Sequence, residues 1–218
     1  TAEQMKKAVI ITAVLTFIIA LLLIYVAFGK ENFALSLIFV LLGIGTIGAA
    51  IKYTVGKSAY GYSGFGDLFV FIFFGLVSVI GSNFLFTHFI DWKLFLPATA
   101  IGLLSVAVLN LNNMRDIEND KIAKKNTLVV KMGLNWAKKY HEVCISIASI
   151  MFLVFCVVVK ITALPIIIVN IPLIRHMGKV NKSEKYEDFE PELKKVALST
   201  FALSLLFWIT LIFLNKHF

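Results

Sequence analysis

Charge is scarce in this sequence. Only 16% of its 218 residues are Asp, Glu, Lys or Arg, against about 25% in soluble domains. Hydrophobic residues make up 59%, and the mean hydropathy is +0.88. That balance excludes a water-soluble globular domain and marks an integral membrane protein. Cysteine is sparse as well. Cys144 and Cys156 lie twelve residues apart on one apolar stretch, about 18 Å along a helix at about 1.5 Å per residue, which excludes a bond between them. No cleavable leader is recognisable, because the first apolar run is long and lacks a small-residue cleavage site. Acidic residues are the scarcer sign, 13 against 21 Lys and Arg, for a net charge of +8.

What is present is a series of apolar runs long enough to cross a bilayer, for which about 20 residues suffice. They fall at 8–28, 33–51, 67–87, 95–115, 140–159, 162–176 and 195–214. The expected fold is all-α, a polytopic transmembrane bundle forming one domain over 1–218. The sixth run carries Pro165 and Pro172 and is expected to be kinked or partly broken. Alternating the spans puts seventeen of the 21 Lys and Arg residues on one side, leaving Lys30, Lys93, Lys160 and Lys216 on the other. The positive-inside rule makes the first side cytoplasmic. The net charge is then a topology signal and gives no reason to expect nucleic-acid binding. The connections on that side, 52–66, 116–139 and 177–194, are long and polar, so function is expected at the cytoplasmic face of a cell membrane.

The densest polar cluster is "NNMRDIENDK" at 112–121, directly after the fourth run. If that helix continues, Asn112, Asp116, Asp120 and Lys124 form one stripe at i, i+4 spacing. Two carboxylates one turn apart suit Mg²⁺, which takes one or two protein carboxylates and completes its shell with water and phosphate oxygens. Arg115, Lys121, Lys124 and Lys125 surround the same point and suit phosphate. Carboxylates and bases beside an oily bundle suggest a lipid diphosphate. The competing reading is a helix that simply ends in a charged, solvated turn. Against it stand Asn110, Asn112 and Asn113 near the membrane boundary, where polar side chains tend to be paired or functional.

A second unusual stretch is "KYTVGKSAYGYSGFGD" at 52–67. Its glycines permit tight turns and close approach, Lys57 suits a phosphate, and Tyr53, Tyr60 or Tyr62 can stack or donate a hydrogen bond, although tyrosine at a membrane interface is ordinary. Asp67 reads as a helix N-cap rather than a ligand. His88, His141, His176 and His217 are scattered and form no metal-site or triad spacing. The 177–194 segment reads as a solvated connector.

The segment "NNMRDIENDKIAKKNTLVVKMG" (112–133) resembles the second aspartate-rich motif of the UbiA-type intramembrane prenyltransferases, in the form NNxRDxxxDxxxGKxTLxxxxG found in the branch acting on 1,4-dihydroxy-2-naphthoate. Asn112, Asn113, Arg115, Asp116, Asp120, Lys125, Thr127, Leu128 and Gly133 match; Lys124 stands where Gly is usual, which concerns the local turn. "YTVGKSAYGYSGFGDLFVFIFFG" (53–75) resembles that branch's Tyr- and Lys-bearing loop and following helix. The family has nine helices and a first aspartate-rich motif, whereas seven spans and no such motif are present here. The resemblance therefore implies that two N-terminal helices and half of the metal site are missing, and that this chain alone is inactive.

The resemblance implies Mg²⁺-dependent transfer of a polyprenyl group from its diphosphate to an aromatic acid, giving demethylmenaquinone when the acceptor is 1,4-dihydroxy-2-naphthoate, at the inner membrane of a bacterium. Asp116 and Asp120 would ligate Mg²⁺. Lys57 and Lys125, with Arg115, Asn112, Asn113 and Tyr53, would hold the diphosphate, and Lys57 would also assist its departure. The alternatives are another branch of the family, with 4-hydroxybenzoate, homogentisate, haem or a glyceryl phosphate as acceptor, and a transporter or channel using the Asn/Asp cluster as an ion site.

Overall fold

The computed structural model describes residues 1–29, 32–54 and 60–213. Among them every regular element is helical, as expected of a chain that must satisfy its backbone internally within a bilayer. The helices are α1 (Ala2–Phe28), α2 (Phe33–Thr54), α3 (Gly66–Thr87), α4 (Phe95–Arg115), α5 (Ile117–Ile122), α6 (Leu128–Met132), α7 (Leu134–Val158), α8 (Leu164–Lys182) and α9 (Phe189–Phe213). Six of them, α1, α2, α3, α4, α7 and α9, are long and apolar enough to cross a membrane. The chain is a polytopic membrane protein.

The expected seventh crossing, at 162–176, is not among those six because Arg175, Lys179 and Lys182 dilute its hydropathy. Its contacts nonetheless carry it across the same layer as α7, antiparallel to it. Asn170 accepts from Ser149 at 2.8 Å, His176 meets His141 at 2.7 Å, and Asn181 reaches Glu142 at 3.4 Å. The segment, expected to be kinked or partly broken, is a single helix that continues across Pro172. A proline removes one backbone N–H, and these lateral bonds hold the turns on either side. The polar connectors are also shorter than the hydropathy suggests. α7 begins at Leu134, α8 extends to Lys182 and α9 starts at Phe189, because polar residues prolong the helices past their apolar portions.

α4 is the axis of the bundle. Half of its apolar window is buried, against none for α1 and α2, and it packs against α3, α7 and α9. In lipid no hydrophobic force separates helix from solvent, so close packing of small residues has to hold the helices together. Ala98, Ala100, Gly102 and Ala107 provide it, all of them buried. The closest crossing is Gly75 of α3 over Gly102 of α4. A methyl at Gly75 would sit 2.6 Å from the Ala98 carbonyl oxygen and 2.7 Å from the Gly102 Cα. At the other end of α3, Phe28, Phe39 and Phe84 join α1, α2 and α3, with ring centroids 5.0 Å (Phe28–Phe39) and 5.7 Å (Phe39–Phe84) apart.

The Gly75–Gly102 crossing predicts that Gly75→Val lowers stability by about 1–3 kcal/mol through overpacking. Gly43→Ala, where an added Cβ meets nothing within 4 Å, should be neutral or slightly stabilising because alanine favours the helix. Thermal unfolding of the two purified variants in detergent checks both.

Candidate active site

The site lies where α4 gives way to α5. Backbone i, i+4 bonds run on through the junction, from Asp116 N to the Asn112 carbonyl at 3.0 Å and from Asp120 N to the Asp116 carbonyl at 2.8 Å. Asn112, Asp116 and Asp120 therefore share a stripe, as the spacing predicts. Lys124 does not. α5 ends at Ile122, and Lys124 adopts a left-handed conformation at φ 55°. Lys124 N bonds the Lys121 carbonyl at 3.1 Å and Lys125 N the Asp120 carbonyl at 2.8 Å, the paired bonds of a Schellman cap, whose left-handed position glycine usually fills. This turn throws Lys125 back over α5. Its ammonium lies 3.2 and 3.3 Å from the two oxygens of Asp120, a pair largely out of solvent.

Asp116 is held differently. Arg115 donates to its two oxygens from Nε and Nη2, each at 2.8 Å, to Asn112 Oδ1 from Nη2 at 2.8 Å, and to Glu190 of α9 from Nη1. This side-chain contact with Arg115 holds the Asp116 carboxyl below the usual carboxylate range. The guanidinium of Arg115, expected to hold diphosphate, is engaged by these three acceptors, and it lines a cavity of about 580 Å³ together with Asp116, Glu118, Asn119, Tyr186, Glu187 and Glu190.

Asp116, Asp120 and Lys125 line a cavity of about 380 Å³ with Tyr53, Gly61, Tyr62, Asn119 and Ala123. Gly61 and Tyr62 of the glycine-rich stretch close one side of it. Asn126 N donates to the Tyr62 carbonyl at 2.8 Å, and Lys131 Nζ to the Ser63 carbonyl at 2.8 Å. Gly61 packs so closely on Tyr53 that a Cβ would lie 2.6 Å from the Tyr53 carbonyl oxygen. Tyr53 also lines an apolar cavity of about 360 Å³ between α2 and α3, with Thr46, Ala50, Phe69, Val70, Phe73 and Phe74. It thus stands where a polar chamber meets an oily one.

The remaining expected residues are distributed. Asn112 is engaged by Arg115. Asn113, buried, turns to a water-sized cavity of about 10 Å³ with Tyr53, Asp67 and Thr127, and its Oδ1 has no partner among the described residues. Lys57 lies outside the described residues. Asp67 is not the N-cap expected of it; Phe65 occupies that position, and among the described residues no side chain caps the helix. Among the described residues no group of three or more His, Cys, Asp or Glu gathers as a metal site. Two carboxylates one turn apart on a shared cavity still fit Mg²⁺, whose remaining ligands are water and phosphate oxygens.

Sequence reasoning missed Asn119 and Glu190, and it assigned no role to His141 or His176. These last two meet in the core at 2.7 Å, and His176 Nδ1 donates to Glu192 at 2.7 Å, with Lys195 on the other oxygen of Glu192. The chain fastens α7, α8 and α9. Separations of 35 and 16 residues hide it from any local motif, whereas Glu190 carries the signal of an acid in the first turn of a helix.

The strained cap predicts that Lys124→Gly raises stability by about 1 kcal/mol, the order of the left-handed penalty it relieves, without weakening Mg²⁺ binding. Thermal unfolding with and without Mg²⁺ measures it.

Residues 5–191 match the UbiA prenyltransferase family. Over 209 residues the chain is 38% identical to a Haemophilus influenzae protein named 1,4-dihydroxy-2-naphthoate octaprenyltransferase, an alignment covering 95% of this chain and 67% of that protein. Proteins of the same name from Escherichia coli and Mycobacterium leprae are 48% and 31% identical, over 70% and 73% of this chain and 49% and 54% of their own lengths. The chain thus spans between about half and two thirds of these relatives. No solved structure matches it significantly. With a matched segment that takes in both the glycine-rich loop and the Asp116–Asp120 stripe, the chain belongs to the UbiA prenyltransferase family.

Proposed function

We propose that the protein transfers a polyprenyl group from its diphosphate to 1,4-dihydroxy-2-naphthoate, from the cytoplasmic face of a bacterial inner membrane. The observation that carries this reading is the junction at Tyr53 of a carboxylate- and lysine-lined cavity with an aromatic, apolar one. A prenyl diphosphate has the same division, a polyanionic head on an oily tail. The names of the relatives supply the acceptor.

Asp116 and Asp120 would hold Mg²⁺, which when bound neutralises charge on the diphosphate oxygens. Lys125, whose ammonium already sits over Asp120, would meet a phosphate oxygen and lower the cost of charge growing on the leaving diphosphate. Lys57, from its place in the loop sequence, would add a second cation. Phe69, Phe73 and Phe74 would sheathe the first isoprene units and keep water from the allylic carbon as its C–O bond breaks. The electron pair of that bond leaves with the diphosphate. A ring carbon of the acceptor forms the new C–C bond, and the acceptor's carboxylate leaves as CO₂. Arg115 acts through Asp116: tied to Asn112 and Glu190, it fixes the direction of that carboxylate.

In the whole protein, Asp116→Asn and Asp120→Asn should each lower Mg²⁺-dependent prenyl transfer more than tenfold. Asp116, part-exposed, should tolerate the change with little loss of thermal stability, whereas Asp120→Asn also leaves the largely buried Lys125 ammonium without its partner and should lower the melting temperature. Lys125→Ala should raise KM for the prenyl diphosphate more than KM for the naphthoate. Steady-state kinetics with the two substrates varied separately provides the check. Retention of more than a tenth of the rate in either Asp variant removes the metal role, and transfer to 4-hydroxybenzoate in place of the naphthoate removes the acceptor assignment.

A further inference from the structure

A cavity of about 230 Å³ opens between α8 and α9, remote from the aspartate stripe in the chain, and is lined by Ile171, Pro172, Arg175, His176, Lys179 and Lys195. Three of these six are permanent cations. Arg175 and Lys179 stand one helical turn apart and are exposed, and among the described residues neither forms an ion pair with a carboxylate. Lys195 is committed on one side to Glu192, which anchors it at the rim. His176 closes the floor, its ring taken up by His141 and Glu192, and the negative charge of Glu192 is met by Lys195, which leaves Arg175 and Lys179 as the cations without a carboxylate. The cavity also has a hydrocarbon part: Ile171, 54% exposed, lies one turn before Arg175 on the same face of α8.

The depth of the cavity matters as much as its charge. The end of α8 is held to α7, where Asn181 meets Glu142 and where Lys138 donates to the Asn181 carbonyl at 3.3 Å and to the Ser183 carbonyl. Arg175 lies six residues inside that point, about 9 Å along the axis. Arg175 directly follows the largely apolar run 164–174 of α8, and a basic side chain at the end of an apolar run carries its head to the membrane interface. A cation at that depth without an acidic partner draws its counter-charge from whatever anion the boundary provides, and basic pockets between transmembrane helices on the cytoplasmic side suit anionic headgroups.

We propose that Arg175, Lys179 and Lys195 bind the phosphate of an anionic phospholipid, with an acyl chain lying along Ile171 and Pro172. Phosphate oxygens accept from the guanidinium fork of Arg175 and the ammonium of Lys179. The apolar wall distinguishes a lipid from free phosphate, because only the lipid gains contact there. The site is separate from the diphosphate cavity: the two share no lining residue.

The test is lipid titration of the full chain in a neutral detergent, followed by native mass spectrometry. The probe is 1-palmitoyl-2-oleoyl-phosphatidylglycerol, with inorganic phosphate as the competing arm. The first phosphatidylglycerol should bind at least tenfold more weakly to the Arg175→Ala/Lys179→Ala double variant. Lys179→Glu, which keeps the helix and gives Arg175 a carboxylate at i, i+4 spacing, should show at least the same loss. A Lys6→Ala/Lys7→Ala control removes equal charge from the same side of the membrane and should stay within twofold of the unmodified chain. Inorganic phosphate at 10-fold molar excess over the lipid should displace none of it. Unchanged binding in either site variant, an equal loss in the Lys6/Lys7 control, or displacement by inorganic phosphate each overturns the proposal.

Discussion

The guanidinium of Arg115 is the fastening on which the site depends. Within one turn it is bound by Asn112 and Asp116, and across the bundle by Glu190 of α9. A carboxylate at the end of a transmembrane helix would otherwise sample many rotamers. Two parallel N–H···O bonds from a rigid planar donor fix both its position and its direction. Because the third acceptor is on α9, the orientation of Asp116 is tied to helix packing. A shift of α9 against α4 would therefore reach the site through Glu190. Asp120 has its own cation, Lys125, placed by the left-handed cap at Lys124. Each carboxylate thus has a cation of its own supplied from within the chain.

The packing beneath explains how that fastening can be rigid. α4 is held by α3, α7 and α9 through small residues, the closest approach being Gly75 on Gly102. Asn110 adds a buried bond to the Ala137 carbonyl at 2.9 Å, fixing the last turns of α4 against the start of α7. α1 and α2 make fewer buried contacts, yet α2 supplies Tyr53, the residue common to the polar and apolar cavities. Polar chemistry is concentrated at the well-packed end of α4, and the oily chamber lies between the less buried helices.

Much of this was legible in the sequence, and what was not has physical causes. Composition and apolar runs imply an all-α membrane bundle, and i, i+4 spacing puts Asn112, Asp116 and Asp120 on one stripe. The same spacing misplaces Lys124, because periodicity has no knowledge of a helix end. The missing glycine at that position marked the turn, and the structure makes it with a lysine at φ 55°. Hydropathy sees only the apolar middle of a helix, so it starts α7 late and stops α8 early. The ion pair of Arg115 with Glu190 joins residues 75 positions apart and so has no local signal in the sequence. The His141–His176–Glu192 chain has no local signature, since it exists only once three helices are packed.

The central claim is that Asp116 and Asp120 together hold a divalent cation against a prenyl diphosphate. Mn²⁺ replaces Mg²⁺ in oxygen-ligand sites and is visible by electron paramagnetic resonance, so its affinity can be titrated with and without a non-hydrolysable prenyl thiolodiphosphate. The account predicts that the analogue tightens Mn²⁺ binding to the protein at least tenfold, and that this gain disappears in the Asp116→Asn/Asp120→Asn double variant. An equal gain in the double variant would contradict it, because the cation would then be held by residues other than these two.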